Sequence, residues 1–259
     1  MKIMSRSLWL AVLVLASSAA AEEEVNVASA LATGDQAVAQ FDLTKATAAY
    51  QEALNLDPKH YEANWKLART FADKATLATG NPGERKKLCA EAERFAREAV
   101  RLNPTDSKGH TYLAIAVGKL ALYLGGKQKV ELSKEVKTEA EKAIDLNPKE
   151  DLAYHVLGVW NREMVELNWV LKKLAELLYG RFPPASFEQA TANLRKATEL
   201  APNVVAHHVE LGITLADARH GAEANKELEH ALAMPKAWVT DDYYKALAKK
   251  KLEEVKHRL

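Results

Sequence analysis

The sequence predicts an all-α fold, a solenoid of antiparallel helix pairs. Three observations carry the prediction. One phrase recurs four times: EALNLDPKHYEANWKLA from Glu52, EAVRLNPTDSKGHTYLA from Glu98, KAIDLNPKEDLAYHVLG from Lys142 and KATELAPNVVAHHVELG from Lys196. Ala, Leu, Glu and Lys dominate the 259 residues, whereas Gly (11) and Pro (8) are scarce, which favours helix. No stretch shows the sustained β-branched alternation of a strand.

The phrases align on Pro58, Pro104, Pro148 and Pro202. Five residues before each proline stands Ala53, Ala99, Ala143 or Ala197, and two before stands Leu56, Leu102, Leu146 or Leu200. Nine after comes Leu67, Leu113, Leu157 or Leu211, and ten after comes Ala68, Ala114, Gly158 or Gly212. Proline stops one helix and pre-sets φ for the next. The small residues sit where helices cross, because a larger side chain would push the backbones apart. A pair of this kind buries its apolar face only against neighbouring pairs, which gives a solenoid. A weaker punctuation lies at Pro235.

Reading in order gives helices over 25–40 with 43–56, 60–78 with 84–102, 106–124 with 128–146, 150–179 with 186–200, and 204–219 with 222–233. A charged helix over 240–257 suits a solenoid cap. TGNPGE (79–84) and LGGK (124–127) are turn chemistry. Ser186, with Gln189 three residues on, and Thr240 are expected N-caps. The stretch 150–179 is read as one long helix. Trp160, Met164, Leu167, Leu171, Leu174 and Leu178 step by four and three along one face, widened by Val165, Trp169, Val170 and Leu177. That face is either a spine for neighbouring helices or a surface left for a ligand or partner.

The repeated phrase resembles the tetratricopeptide repeat, although the prolines here stand farther apart than its usual period of about 34 residues. The surplus is expected between the first and second helix of each repeat. A more specific resemblance rests on HVLGVWNREMVELNWVLKKLAELLYG, PPASFEQATANLRKATELAPN and HALAMPKAWVTDDYYKALAKKKLEEV. The arrangement of Leu157, Gly158, Trp160, Leu167, Trp169, Lys172 and Lys173 is similar to the regulator of microtubule dynamics family, over about residues 30–257. The resemblance implies a helical repeat domain without an established catalytic site. Animal members are linked to microtubules, and one member at the mitochondrial surface tethers membranes and binds and transfers phospholipid. This chain departs from that member in its N-terminal address.

In this repeat class the first helix of each pair lines the concave face. The ligand-facing positions fall at Trp65, Arg69 and Ala72; Thr111, Ile115 and Gly118; His155, Val159 and Arg162; Val209, Ile213 and Ala216. The Lys and Asn pairing with which such repeats hold a terminal carboxylate does not occur. The groove reads as aliphatic and aromatic with isolated Arg69 and Arg162. That composition suits an apolar chain with an anionic end, or an amphipathic helix. The third option is a groove filled by the long helices.

The formal net charge is +1, which gives no bulk case for nucleic acid. Cys89 is the one cysteine, so no internal disulfide or Cys-based metal framework exists. His207 and His208 are adjacent and make a poor chelate, and the other histidines are scattered. No HExxH, GxSxG or phosphate-loop spacing occurs, so neither an enzyme nor a cofactor is expected. Lys2 and Arg6, the apolar run Leu8 to Ala16 and the small residues before Glu22 have the order of a secretory signal peptide. The expectation is a leader over 1–21, one solenoid over 22–259 and an exported protein, periplasmic or secreted; the alternative is an uncleaved anchor that brings membrane contact. The function expected is a non-enzymatic scaffold for a protein or peptide partner, with a phospholipid or fatty-acid carrier as the alternative. An enclosed apolar tunnel beneath Trp160, Trp169 and Ile115 would favour the carrier.

Overall fold

The computed structural model describes residues 26–78, 80–179 and 185–256. The expected leader lies outside them. The described residues form helices and connecting turns, without strands. The order is α1 (26–39), α2 (Leu43–Leu56), α3 (Tyr61–Leu77), α4 (Pro82–Leu102), α5 (Ser107–Ala121), α6 (Gly126–Leu146), α7 (Asp151–Glu166), α8 (Trp169–Tyr179), α9 (Phe187–Leu200), α10 (Val205–Asp217), α11 (Gly221–Ala233) and α12 (Asp241–Lys256). The antiparallel pairs are α1/α2, α3/α4, α5/α6, α7/α9 and α10/α11. The first helices α3, α5, α7 and α10 touch in sequence, and α12 packs on α10 and α11.

The phrase residues do what their sizes require. Ala53, Ala99, Ala143 and Ala197 are wholly buried, as are Ala68 and Ala114. A Cβ on Gly158 would stand 2.5 Å from Leu194 Cγ, and one on Gly212 would stand 2.6 Å from Leu228 Cγ. Only glycine lets α9 and α11 approach that closely. The α1 end is tied through Asp35, which accepts from Tyr50 Oη at 2.7 Å and from Lys66 Nζ at 2.6 Å.

The surplus length falls in two places. The second helices α4 and α6 run to 21 residues each, against 14 for α2 and α9. Asn81 caps α4 by accepting from Gly83 N and Glu84 N, and Pro82 follows it. The helix therefore starts two residues before the expected 84. The other insertion is α8, which corrects the single helix expected over 150–179. The chain breaks at Leu167 and Asn168, and Asn168 Oδ1 accepts from Leu171 N at 3.0 Å. Lys172 Nζ donates to Val165 O at 2.9 Å, satisfying the end of α7. The one apolar face from Trp160 to Leu174 is thus divided. Trp160 and Met164 are buried on α7, whereas Trp169 is 75% exposed on α8. Ser186 caps α9 as expected, accepting from Gln189 N. Thr240 stands at the expected N-cap position before α12, its carbonyl accepting from Tyr244 N at 3.1 Å, and Asp241 Oδ2 holds the preceding turn by accepting from Ala237 N and Trp238 N, both at 2.8 Å.

Candidate functional site

Helical spacing places Arg69, Ala72, Asp73 and Thr76 on one face of α3, Ile115, Gly118, Lys119 and Leu122 on one face of α5, and Leu152, His155, Val156, Val159, Trp160 and Glu163 on one face of α7. These faces line a cavity of about 710 Å³ that is open to solvent on part of its surface. Val130, Ser133 and Val136 of α6 and Leu167 and Leu171 beside the α7–α8 break close one side. The segment from Ala237 to Tyr244 closes the other. Trp238 is its clasp. Its Nε1 donates to Asp73 Oδ2 at 3.1 Å, and Arg69 lies over its ring at 5.1 Å. The two ends of the repeat array therefore meet across the concave face.

The cavity has two characters. Toward α6 and α8 it is mostly apolar, with Ile115, Leu122, Val130, Val136, Val156, Trp160, Met164, Leu167 and Leu171, although Lys129, Ser133 and Lys134 of α6 also line it. Trp160 Nε1 is held by donating to Ser133 O at 2.8 Å, which leaves the indole body as wall. Toward α3, α10 and the Trp238 segment it is polar, with Arg69, Asp73, Lys119, Asp151, His155 and Glu210.

Burial dominates the protonation states there. It raises the Asp73 carboxyl to about 6, against the pull of Arg69, Lys119 and the Trp238 hydrogen bond. Burial lowers Lys119, opposed first by Asp73, and Lys119 Nζ donates to Thr76 Oγ1 at 2.7 Å. His155 lies well below the usual imidazole range, again by burial, reinforced by His207 and Arg162, so it is neutral near pH 7. Its Nδ1 meets His207 Nδ1 at 2.9 Å, and His207 Nε2 meets Asp151 Oδ2 at 2.8 Å. Burial works to raise Asp151, but the hydrogen bond from His207 together with the nearby positive charge, Lys108 included, holds the carboxyl below its ordinary value. The chain Asp151–His207–His155 fixes the orientation of the His155 ring at the cavity wall. The members of this chain are one carboxylate and two imidazoles. Among the described residues Arg69 Nε and the fully buried Thr111 Oγ1 have no hydrogen-bond partner. Among the described residues no three His, Cys, Asp or Glu side chains are grouped to hold a metal.

Of the expected groove residues, Arg69, Ile115, His155 and Val159 line the cavity. Trp65 does not. It stacks on Tyr112 at 5.6 Å and supports Arg69 from the other side, at 5.5 Å. Arg162 is corrected from a groove arginine to a structural one, since it is buried and donates to Glu210 Oε2 at 2.7 Å and to Thr214 Oγ1. Val209 and Ile213 are covered by α12, which packs Ala248 and Leu252 into the same cluster. From the expected apolar helix face, Trp160, Met164, Leu167 and Leu171 line the cavity, and Trp169 and Leu174 do not.

Sequence reasoning missed Asp73, Lys119 and Trp238. The first two lie one turn beyond Arg69 and Ile115 and follow from the same helical face. Trp238 carries no local signal, because its partner is 165 residues away. It also missed a recurrent device. His110 and His208 both stand six residues after a phrase proline. Each meets that proline's carbonyl, and each reaches a carboxylate on the following helix, Glu139 or Glu227.

A family model described as regulator of microtubule dynamics protein 1-3 matches residues 30–256. The chain belongs to that family. Regulator of microtubule dynamics protein 1 of Bos taurus is 32% identical over 142 residues, 55% of this chain and 45% of the relative. Regulator of microtubule dynamics protein 2 of Macaca fascicularis is 27% identical over 175 residues, 67% of this chain and 42% of the relative. The chain thus spans less than half the length of these members of the regulator of microtubule dynamics family. A thermophilic TPR protein of Thermus thermophilus shares the fold, with a TM-score of 0.63 at 18% identity, covering 88% of this chain and 99% of that one. The tetratricopeptide-type solenoid expected from the sequence is therefore the architecture. The exported location, periplasmic or secreted, is corrected. The family's matched members are animal proteins named for microtubules, which are polymers of the cell interior.

Proposed function

We propose that the chain is a non-enzymatic binding protein that holds an amphiphile, an apolar chain with an anionic head, inside the concave-face cavity. A phospholipid or a fatty acid has this chemistry. The observation that supports the proposal is the cavity: the Trp238 segment narrows the groove to a half-open cavity of about 710 Å³, within the roughly 300–1,000 Å³ of small-molecule sites. Its apolar side accepts the chain. Arg69, Lys119 and the neutral His155 line the polar side and face the head. Arg69 is pre-organised between two indoles, so little is lost in fixing it on a carboxylate or phosphate.

The test is titration with a fluorescent acyl probe such as cis-parinaric acid. Saturable binding that Ile115→Trp and Val159→Trp abolish supports the reading, whereas binding that survives both fillings overturns it. A second reading is a protein or peptide partner in the same space. It is supported by the repeat-solenoid fold and by the polar side of the cavity, where Arg69, Lys119, Asp151 and Glu210 offer donors and acceptors. A peptide mass in place of a lipid mass on the purified chain separates the two.

A further inference from the structure

The apolar lining continues past the mouth of the cavity. Leu122, at the end of α5, lines the cavity and is 63% exposed. Leu167 and Leu171 line it from the α7–α8 break and from α8. The other side of α8 faces outward, with Val170 at 54% and Leu177 at 82% exposure beside the exposed Trp169. These three make up half of the large apolar side chains exposed among the described residues, and they sit on one helix of 11 residues. That helix is held chiefly on α6. The stretches 126–138 and 167–179 carry six lysines against three glutamates, and Lys127, Lys137 and Lys173 pair with Glu131, Glu141 and Glu176. Among the described residues no helix is long and apolar enough to cross a membrane.

We propose that α8 and the rim at Leu122 dock on the surface of an anionic lipid bilayer, with Trp169, Val170 and Leu177 entering the interfacial layer. This rests on the amphiphile reading of the cavity. A short amphipathic helix with an indole at one end and lysines flanking its apolar face is suited to lie in that layer. The lysines meet anionic headgroups, which a neutral membrane does not offer. The continuity decides for a bilayer over a protein partner. Leu171 both lines the cavity and belongs to α8, so a chain leaving the cavity beside it emerges at this helix, where a lipid phase can receive it.

The test uses the full chain in a Trp9→Phe background, with vesicles of phosphatidylcholine alone or mixed with phosphatidylglycerol, carrying brominated acyl chains. Docking predicts quenching on the mixed vesicles, most of it lost in Trp169→Phe although Trp65, Trp160 and Trp238 remain. The Trp169→Ser/Val170→Ser/Leu177→Ser variant, altered only at exposed positions, is expected to lose roughly ten-fold or more in vesicle affinity, equivalent to about 1.4 kcal/mol. Quenching unchanged by Trp169→Phe overturns the proposal, as does no quenching when the chain sediments with vesicles through its N-terminal segment. Loss of a protein partner without loss of vesicle contact in the triple variant overturns it as well. The cavity reading is scored separately by cis-parinaric acid without vesicles. A triple variant that binds the probe but not vesicles supports docking through α8. A wild-type chain that docks but binds no probe also supports docking and overturns the cavity reading alone.

Discussion

Replacing Asp73 with asparagine separates the charge at the clasp from its hydrogen bond. The amide oxygen of Asp73→Asn still accepts from Trp238 Nε1, but no carboxylate has to ionise in a buried site. The folded-state value of Asp73 is about 6, against 3.8 for an ordinary aspartate. The folded protein therefore holds this proton more tightly than the unfolded chain. The resulting stability is fully present below about pH 4 and is lost as pH rises through 6. The difference corresponds to about 3 kcal/mol, and water in the cavity reduces this, so about 1–3 kcal/mol is expected. Urea unfolding of wild type and variant across pH 4–8, roughly the span of this titration, measures the difference directly. The variant is expected to match wild type at the acid end and to exceed it by that margin at the alkaline end. A difference that does not change with pH, or a variant less stable at the alkaline end, would refute the placement of Asp73 at a desolvated clasp.

Three other outcomes follow from the packing. Gly158→Ala should lower stability by about 1–3 kcal/mol, because its Cβ meets Leu194 at 2.5 Å, whereas Gly125→Ala meets nothing within 4 Å; thermal melts of the pair check this. Trp238→Phe removes the indole hydrogen bond to Asp73 and should cost about 1–2 kcal/mol, with faster amide exchange in 237–256 than elsewhere. The hydrogen bond with Glu227 raises the His208 imidazole, so its stabilisation is present below about pH 6.5 and fades as pH climbs through the folded value. His208→Gln should therefore be more damaging at acid than at alkaline pH by denaturant unfolding, and an equal loss at both would contradict the pairing.

The helix pairs were legible because proline and the small crossing residues act locally and recur at fixed offsets. The cavity was half legible. Arg69, Ile115, His155 and Val159 follow from helix periodicity alone. Val209 and Ile213 sit at equivalent offsets but lie under α12, and which helix covers which is a tertiary fact. The α7–α8 break was hidden because apolar spacing runs unbroken through it, while the signal that ends the helix is a single cap, Asn168. His110 and His208 were visible as a repeat position and were passed over because histidines were weighed as ligands. The Trp238 clasp has no signature short of the folded chain.

A concave-face cavity that holds an amphiphile should carry one out of the cell. Native mass spectrometry of the purified chain, with solvent extraction of what travels with it, tests this most directly. One lipid or fatty acid per chain is expected, absent from Ile115→Trp and Val159→Trp. A ligand-free mass in repeated preparations, unchanged after addition of fatty acid, would contradict an amphiphile site on the concave face.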